Sequence, residues 1–142
     1  FKTLPNIAVS IDDRNCLVIN APHISDKTII TNDVVELLDE NTFEWLGRFD
    51  YVINSGGVKL SPEVIEAKLQ KHITNRLFIT SVNDIVLGEK LVLVIEGASF
   101  KIDSKVFKSL NKHEVPKEIF FIEKFTETSS GKIMRSKTLD LL

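Results

Sequence analysis

The sequence predicts an α+β fold, in which a β-rich first third precedes a small mixed domain that begins at about residue 50. Residues 6–11 and 16–20 are short apolar runs around an Asp-Asp-Arg-Asn turn, a pattern typical of a β-hairpin. Residues 29–31 and 43–46 predict two further short strands around an acidic loop. This first third is too small to bury a sound hydrophobic core alone, so we expect it to belong to something larger.

The second part is predicted to open with a hairpin and a helix. Tyr-Val-Ile at 51–53 and Val-Lys-Leu at 58–60 flank an Asn-Ser-Gly-Gly turn, which predicts an exposed hairpin tip. Ser61 is then placed as a helix N-cap, Pro62 in the first turn, and Glu63 near the positive end of the helix dipole. The apolar face of this helix is predicted to consist of Val64, Ile65, Leu69 and Ile73.

Three strands and two helices complete the predicted domain. Residues 77–82, 91–95 and 118–122 are apolar enough to form buried strands. Asp103 is placed to cap a second helix, and a tail helix follows the Ser-Gly-Lys loop at 130–132. The expected domain is therefore a hairpin plus about a three-stranded sheet with helices.

The composition is that of a soluble globular protein, with 43% hydrophobic residues, 27% charged residues and a net charge of −2. This charge argues against a nucleic-acid partner, and no apolar stretch approaches the ~20 residues of a membrane span. Cys16 is the only cysteine, which excludes an internal disulfide and favours a reducing compartment such as the cytoplasm. His23, His72 and His113 lack metal-ligand spacing, so we expect no metal site on this chain.

The first residue, Phe1, opens an apolar run without an initiating methionine. We interpret the chain as a piece of a longer protein. The alternative is that only a short leading segment is missing.

Lys132 is the most informative single residue. It follows Ser-Ser-Gly, where Gly131 lets the backbone approach a ligand closely and the lysine supplies a mobile charge suited to a phosphate or carboxylate. The run is not a Walker phosphate loop, because that motif needs glycine in place of Thr126 and serine or threonine in place of Ile133. Taken alone, the motif is better explained as an exposed turn with a surface lysine.

The other candidate residues also have plain explanations when each is taken singly. Gly56 and Gly57 would simply close a hairpin. Arg48 and Asp50 would form a surface ion pair worth less than ~1 kcal/mol. Asp33 would be an ordinary turn former.

The order of the motifs is more specific than any one of them. The chain reads T-N-D at 31–33, G-R-F-D at 47–50, S-G-G at 55–57, P-E-V-I-E at 62–66 and T-S-S-G-K-I-M-R at 128–135. This order resembles the adenylate-forming superfamily of acyl-CoA synthetases, adenylation domains and luciferases. The resemblance covers nearly the whole chain, as the C-terminal end of a much longer enzyme.

The resemblance implies a two-part organisation and a two-step reaction. Residues 1–49 would be the β-rich end of a large N-terminal domain that holds ATP, Mg²⁺ and the carboxylic acid substrate. Residues 50–142 would be a C-terminal lid that rotates over it. The first half-reaction joins the carboxylate to AMP and releases pyrophosphate, and the second transfers the acyl group to the thiol of coenzyme A.

The resemblance also implies roles for individual residues. Asp33 would bind the ribose hydroxyls of the nucleotide, with Arg48 near the ribose and phosphate, and Asp50 would be the hinge. Lys132 would neutralise charge between the carboxylate and the α-phosphate during adenylation. Gly57, together with Gly56, would line the tunnel for the pantetheine arm of coenzyme A.

Three positions depart from the common family pattern. The usual T-G-D reads Thr31-Asn32-Asp33, the usual second hinge aspartate is Tyr51, and the loop commonly written P-K-T-x-S-G-K reads T-E-T-S-S-G-K. None of them removes a residue with an implied role, but they leave the branch of the superfamily open.

The segment V-I-N-S-G-G-V-K-L-S-P-E-V-I-E resembles the o-succinylbenzoate–CoA ligases of menaquinone synthesis. Other acyl-CoA synthetases and the lids of carrier-charging adenylation domains are alternatives, and a non-catalytic interaction module is an alternative of another class. We expect the isolated chain to be inactive and to bind no cofactor, because its partner domain, with the ATP and acid sites, lies outside it.

Overall fold

A computed structural model describes residues 1–142, and the chain divides into two compact units, Phe1–Val52 and Ile53–Leu142. This division falls three residues after the predicted boundary between residues 49 and 50. The first unit is an antiparallel sheet of four strands in the order β1-β2-β3-β4. They are β1 (Ala8–Ile11), β2 (Cys16–Asn20), β3 (Ile29–Leu37) and β4 (Phe43–Arg48), followed by a 3₁₀ turn at Phe49–Tyr51.

The predicted first hairpin is confirmed. Strands β1 and β2 pair in antiparallel register from Ala8↔Asn20 to Ile11↔Leu17. The Asp12 carboxylate closes the turn, since it accepts hydrogen bonds from the backbone N–H groups of Arg14 (2.9 Å) and Cys16 (2.8 Å). An aspartate that binds its own backbone two residues on is a common turn device.

The alternative interpretation of Asp33 as an ordinary turn former is wrong, because β3 continues through Asp33 to Leu37. The strand is nevertheless irregular at this point. Cys16 pairs with Val34 while Val18 pairs with Ile30, so a two-residue step on β2 faces a four-residue step on β3. The Thr-Asn-Asp triplet at 31–33 therefore leaves the regular ladder within a strand, and bulges of this kind re-aim side chains.

The second unit contains one five-stranded sheet, in which the predicted hairpin is joined to the three other predicted strands. The hairpin strands β5 (Ile53–Ser55) and β6 (Val58–Leu60) join the sheet through a single pairing, Ser55↔Gly88. The other strands are β7 (Leu77–Asp84), β8 (Gly88–Glu96) and β9 (Glu118–Ile122). The order is β6-β5-β8-β7, with β9 parallel to β8.

Two α-helices accompany this sheet: α1 (Pro62–Leu69) and α2 (Arg135–Leu139). The Ser61 side chain makes no capping hydrogen bond, and Ile73 lies beyond the end of α1, although it is buried. Asp103 does cap a helix by accepting from Lys105 N (2.9 Å), but Ser104–Ser109 is a 3₁₀ helix rather than an α-helix. Its backbone N–H groups bond three residues back, Val106 N to Asp103 O (3.0 Å) and Leu110 N to Phe107 O (3.1 Å), which is the spacing of a 3₁₀ helix.

Strand β8 is buried on both faces, so the sheet has two cores. Leu91, Leu93 and Ile95 face the core shared with α1, while Val94 faces a second core. Alternate residues of a strand point to opposite faces, which explains the division. The second core comprises Phe78, Val94, Ile122 and Phe125, with Phe120, Ile133 and Leu139 packed against it. None of the helices is long and apolar enough to cross a bilayer.

Candidate functional site

Asp33 and Arg48 are direct partners on neighbouring strands of the first unit. Asp33 Oδ1 accepts from Arg48 Nη1 at 3.4 Å and from Trp45 Nε1 at 3.2 Å. Leu46 is an extra residue on β4, because Val34 pairs with Gly47 and Val35 with Trp45. This bulge directly precedes Arg48. The irregular ladder thus presents a carboxylate, a guanidinium and an indole side by side on a partly exposed edge.

Asp50 is held in the same polar cluster. Its carboxylate lies 3.5 Å from Arg48 Nη2 and accepts from Asn32 Nδ2 at 3.3 and 3.4 Å. The Asn32 amide is oriented in turn by Arg14, whose Nη1 donates to Asn32 Oδ1 at 3.0 Å. The structure therefore brings together three of the predicted residues, Asp33, Arg48 and Asp50. We call the set Arg14, Asn32, Asp33, Trp45, Arg48 and Asp50 the Asp33 network.

Sequence reasoning missed Arg14, Asn32 and Trp45 as members of this network. Arg14 is fixed by Asp12, which accepts from its Nε (2.9 Å) and Nη2 (2.7 Å), and its guanidinium lies 5.1 Å from the centre of the Phe49 ring. No short motif signals these contacts. They depend on the fold, which places the β1–β2 turn beside the irregular part of β3.

Lys132 lies in the second unit, on a loop that runs from Thr126 to Met134, which we call the Lys132 loop. Its arms are joined by a bridge between Glu127 and Ile133 and by a bond from Met134 N to Thr126 O (2.8 Å). The tip is closed through Thr128, whose N–H donates to Lys132 O (2.8 Å) and whose Oγ1 accepts from Lys132 N (3.1 Å). Gly131 has a φ of +77°, which favours glycine at this turn.

The base of the Lys132 loop is anchored to the sheet. Ile133 packs against the second core, and the buried Thr138 hydroxyl accepts from Thr126 N (3.1 Å) and donates to Met134 O (3.0 Å). Arg76 forms an ion pair with Glu127 on the opposite arm. The Lys132 side chain is itself exposed, and no ion pair of the chain involves it. The two arms of the loop are thus anchored to the sheet, and the exposed Lys132 ammonium group at its tip is able to bind an anion.

A second interaction links the Lys132 loop to α1. Arg135 Nη2 donates to Glu66 Oε2 at 3.0 Å, and Arg135 Nη1 donates to the backbone carbonyl of Ile79 at 3.1 Å. Burial raises the pKa of the Glu66 carboxyl, and the Arg135 charge and the Ile79 N–H counteract part of that rise. Glu66 and Arg135 belong to the motifs at 62–66 and 128–135, but the sequence alone indicates no role for either residue.

The Gly56–Gly57 turn joins β5 to β6, as predicted. The φ values are +58° and +84°, the left-handed backbone of a tight hairpin turn. A Cβ at position 56 would lie 3.3 Å from Leu87 Cδ2, whereas a Cβ at position 57 would meet nothing within 4 Å. The backbone of Gly57 is therefore not covered by neighbouring atoms on the side where a side chain would project.

The glycine turn and the Lys132 loop are attached to opposite ends of the β7–β8 hairpin. Gly56 N donates to Leu87 O (3.0 Å) at the β7–β8 turn, while Arg135 binds Ile79 near the start of β7. Ile79 lies five residues before the end of β7, so at ~3.3 Å per strand residue these attachments are separated by roughly 17–20 Å. The glycine turn and the Lys132 loop thus meet the sheet at different points along this hairpin.

No group of three or more His, Cys, Asp and Glu side chains in the chain is arranged to hold a metal ion. A surface cavity of the first unit, about 940 Å³, lies between β1, the end of β2 and the β3–β4 loop, and none of the predicted site residues lines it.

No protein-family model matches the chain. A curated relative, the mouse mitochondrial acyl-coenzyme A synthetase ACSM5, is 31% identical over 120 residues, which are 76% of this chain and 21% of that protein. The chain thus spans about a fifth of the length of this relative.

Solved structures of the same class match almost the whole chain. The acyl-CoA synthetase (AMP-forming)/AMP-acid ligase II-like protein from Dyadobacter fermentans is 35% identical with a TM-score of 0.62, over 99% of this chain and 43% of that one. The o-succinylbenzoate coenzyme A synthetase MenE from Bacillus subtilis, in complex with ATP and magnesium, has a TM-score of 0.82 at 17% identity. This match covers 98% of this chain and 35% of MenE. The homologues and structural neighbours are therefore AMP-forming acyl-CoA synthetases, and the predicted α+β fold class is confirmed.

Proposed function

We propose that this chain is the C-terminal part of an AMP-forming acid–CoA ligase. The first unit would be the last part of a large nucleotide-binding domain, and the second unit would be its lid. The observation that carries the proposal is the attachment of the Lys132 loop and the glycine turn to opposite ends of one β-hairpin. Two chemically different steps can then use one lid, because a rotation exchanges the end that faces the substrate. Similarity to acyl-CoA synthetases supports the reaction class.

In the proposed first half-reaction, a carboxylate oxygen attacks the α-phosphorus of ATP, a P–O bond forms, and pyrophosphate leaves. Negative charge gathers between the carboxylate and the phosphate, where a preorganised cation is most effective. The Lys132 ammonium would supply that charge. The Asp33 carboxylate would accept hydrogen bonds from the ribose hydroxyls, and Arg48, which lies 3.4 Å from Asp33 Oδ1, would orient that carboxylate.

In the proposed second half-reaction, the thiol of coenzyme A attacks the acyl carbon and AMP leaves. The pantetheine arm would pass the Gly56–Gly57 turn, where the absence of a side chain keeps the path open. Asp50 would be the hinge between the two poses. A few residues at the ends of elements are enough to absorb a domain rotation.

The other requirements of the reaction would be met outside this chain. ATP, Mg²⁺ and the carboxylic acid would be bound by the remainder of the protein, which is the main partner of the lid. A cytoplasmic location, where ATP and coenzyme A are present, is part of the proposal.

We propose o-succinylbenzoate as the acid, on the strength of the V-I-N-S-G-G-V-K-L-S-P-E-V-I-E segment. The similarity to MenE is below 25% identity and supports the fold alone. Another acyl-CoA synthetase specificity and a carrier-charging adenylation domain are the alternatives within the class.

The test is a turnover assay of the intact protein with ATP, Mg²⁺, coenzyme A and a panel of carboxylic acids that includes o-succinylbenzoate and medium-chain fatty acids. We expect acid-dependent release of AMP and pyrophosphate, with one preferred acid and a CoA thioester as product. A carrier-charging enzyme would instead release pyrophosphate without consuming coenzyme A. No acid-dependent pyrophosphate release with any acid would reject the proposal and favour a non-catalytic interaction module.

A further inference from the structure

The ion pair between Glu66 and Arg135 closes a ring around one backbone unit at the edge of the sheet. Glu66 Oε1 accepts from Ile79 N at 2.7 Å, and Arg135 Nη1 donates to Ile79 O at 3.1 Å. The ring is completed by the bond of 3.0 Å from Arg135 Nη2 to Glu66 Oε2. Strand β7 is the last strand in the sheet order, so the N–H and C=O of Ile79 that face away from β8 would otherwise lack a strand partner.

The ring fixes the direction in which Arg135 leaves the Lys132 loop. The guanidinium also lies 5.7 Å from the centre of the Phe78 ring, and both charged side chains are only 18% exposed. A planar guanidinium with two directed hydrogen bonds restricts orientation more than a lysine would. Arg135 comes three residues after Lys132, and the intervening Ile133 is packed in the second core.

The bonds to Ile79 give the pair a structural role, but uncharged polar side chains could supply the same two hydrogen bonds. Burial of two charges removes their hydration, and a well-packed apolar pair is often at least as stable. The raised pKa of Glu66 reflects that cost of burial. Directed bonds are what an apolar pair lacks, and they determine where the adjoining loop lies.

We infer that Glu66 and Arg135 are positioning residues that hold the Lys132 ammonium where the acid and the α-phosphate meet. The inference rests on the proposed function of Lys132 and goes beyond it, because it assigns the loop position to a pair of side chains far apart in sequence. The reaction rate depends strongly on the placement of a reacting or stabilising group, since a displacement of ~1 Å can lower the rate about a hundredfold.

The test compares Glu66→Gln and Arg135→Lys with the unchanged protein in the intact ligase. Both variants retain side chains of similar size, and Arg135→Lys also retains the charge but cannot reach Ile79 O and Glu66 together. We expect kcat for acyl-adenylate formation to fall about tenfold to a hundredfold with little change in KM for ATP. Thioester formation from preformed acyl-adenylate should stay within about twofold.

The matched control is Glu114→Gln, which breaks a second ion pair of α1, between Lys68 and Glu114 (2.7 Å), away from the Lys132 loop. All rates are measured well below the melting midpoint of each variant. The control should lose stability but keep both half-reactions. Equal loss of both half-reactions in the Glu66 and Arg135 variants, or adenylation rates equal to the control, would overturn the inference. Absence of adenylation in the unchanged protein would instead reject the proposed function.

Discussion

Asp33 owes its position to backbone irregularity on both sides. The pairing with β2 skips residues 31–33, and β4 bulges at Leu46. Asp33 therefore has a strand partner only on β4, where its carboxylate lies beside Arg48 and Trp45. Both of these neighbours donate to Oδ1. A carboxylate oriented in this way is a good acceptor for paired hydroxyl groups.

Replacing Asp33 by asparagine tests this role with almost no change in shape. The amide oxygen can still accept from Trp45, but the negative charge that would strengthen the proposed bonds to ribose hydroxyls is lost. Because a hydrogen bond to a charged group is worth ~1.5–3 kcal/mol, we expect KM for ATP of the intact enzyme to rise about tenfold to a hundredfold. The exposed Asp26→Asn variant is the control, and an unchanged KM in Asp33→Asn would remove Asp33 from the nucleotide site.

A second prediction at the scale of single residues concerns Gly57. Its φ of +84° strains any other residue, while a Cβ at this position would meet nothing within 4 Å. Gly57→Ala and Gly57→Leu therefore carry similar backbone strain and differ in side-chain size. We expect Leu to slow thioester formation far more than Ala while adenylation changes equally in both. Equal thioester rates in the two variants would show that no ligand passes this turn.

Residue positions were predictable where the signal was local. The hairpin residues Gly56 and Gly57 and the Lys132 turn follow from glycine and turn chemistry in a few consecutive residues. The Glu66–Arg135 ring was not predictable, since it joins residues 69 positions apart and depends on how α1 packs beside β7. The other members of the Asp33 network were missed for the same reason. Arg14, for example, contacts Asn32 across 18 positions of sequence, and the folded hairpin brings them together.

At the scale of elements, helix α1 is joined to the segment that follows the 3₁₀ helix through Lys68 and Glu114. Lys68 Nζ donates to both oxygens of Glu114, at 2.9 and 2.7 Å, and Asn111 N donates at 2.8 Å. Burial alone would raise the pKa of Glu114, but the Lys68 ammonium and the Asn111 N–H outweigh it and hold the pKa below its ordinary value. The ionised carboxylate is thus favoured by the folded state.

This lowered pKa predicts how stability depends on pH. Since the folded state favours ionised Glu114, its contribution is fully present above the unfolded-state pKa of about 4.5 and is lost as pH falls through the lower folded-state value. The free energy of unfolding should therefore differ between the unchanged chain and Glu114→Gln at pH 6–7, and the difference should shrink below about pH 4. Chemical denaturation across pH measures it, and a difference independent of pH would contradict the assignment.

Element types followed from sequence better than their connections did. The strands and α1 were recognisable from apolar runs, glycines and the Ser-Pro-Glu start. The joining of all five strands in one sheet was not predictable, because a single strand pairing, Ser55↔Gly88, links the β5–β6 hairpin to β8. One pairing between distant residues leaves no pattern in either segment.

At the scale of the whole molecule, the two units differ greatly in how much apolar surface they bury. Four hydrophobic residues are buried in the first unit, Cys16, Leu17, Ala21 and Val35, against fifteen in the second. Several large apolar side chains of the first unit are exposed instead, among them Phe1 (77%), Ile24 (76%) and Ile30 (65%). Such a unit is expected to gain stability from further protein that covers it.

This asymmetry predicts two levels of stability in the 142-residue chain. Amide hydrogen exchange should show the first unit opening with a lower free energy than strands β7 and β8 of the second, because opening free energy follows buried apolar contacts. In the intact protein, protection of the first unit should rise. Equal protection of both units in the isolated chain would show that the first unit needs no additional covering.

The central claim is that Lys132 acts in acid activation and not in thiol transfer. The most direct measurement is single-turnover kinetics of both half-reactions in the intact enzyme with Lys132→Ala, beside Lys137→Ala as an exposed lysine on α2. We predict that acyl-adenylate formation falls by about a hundredfold to a thousandfold in Lys132→Ala, the usual cost of removing one preorganised group that stabilises charge. Thioester formation from preformed acyl-adenylate should remain close to that of Lys137→Ala. Equal loss of both half-reactions, or no loss of adenylation, would contradict the account.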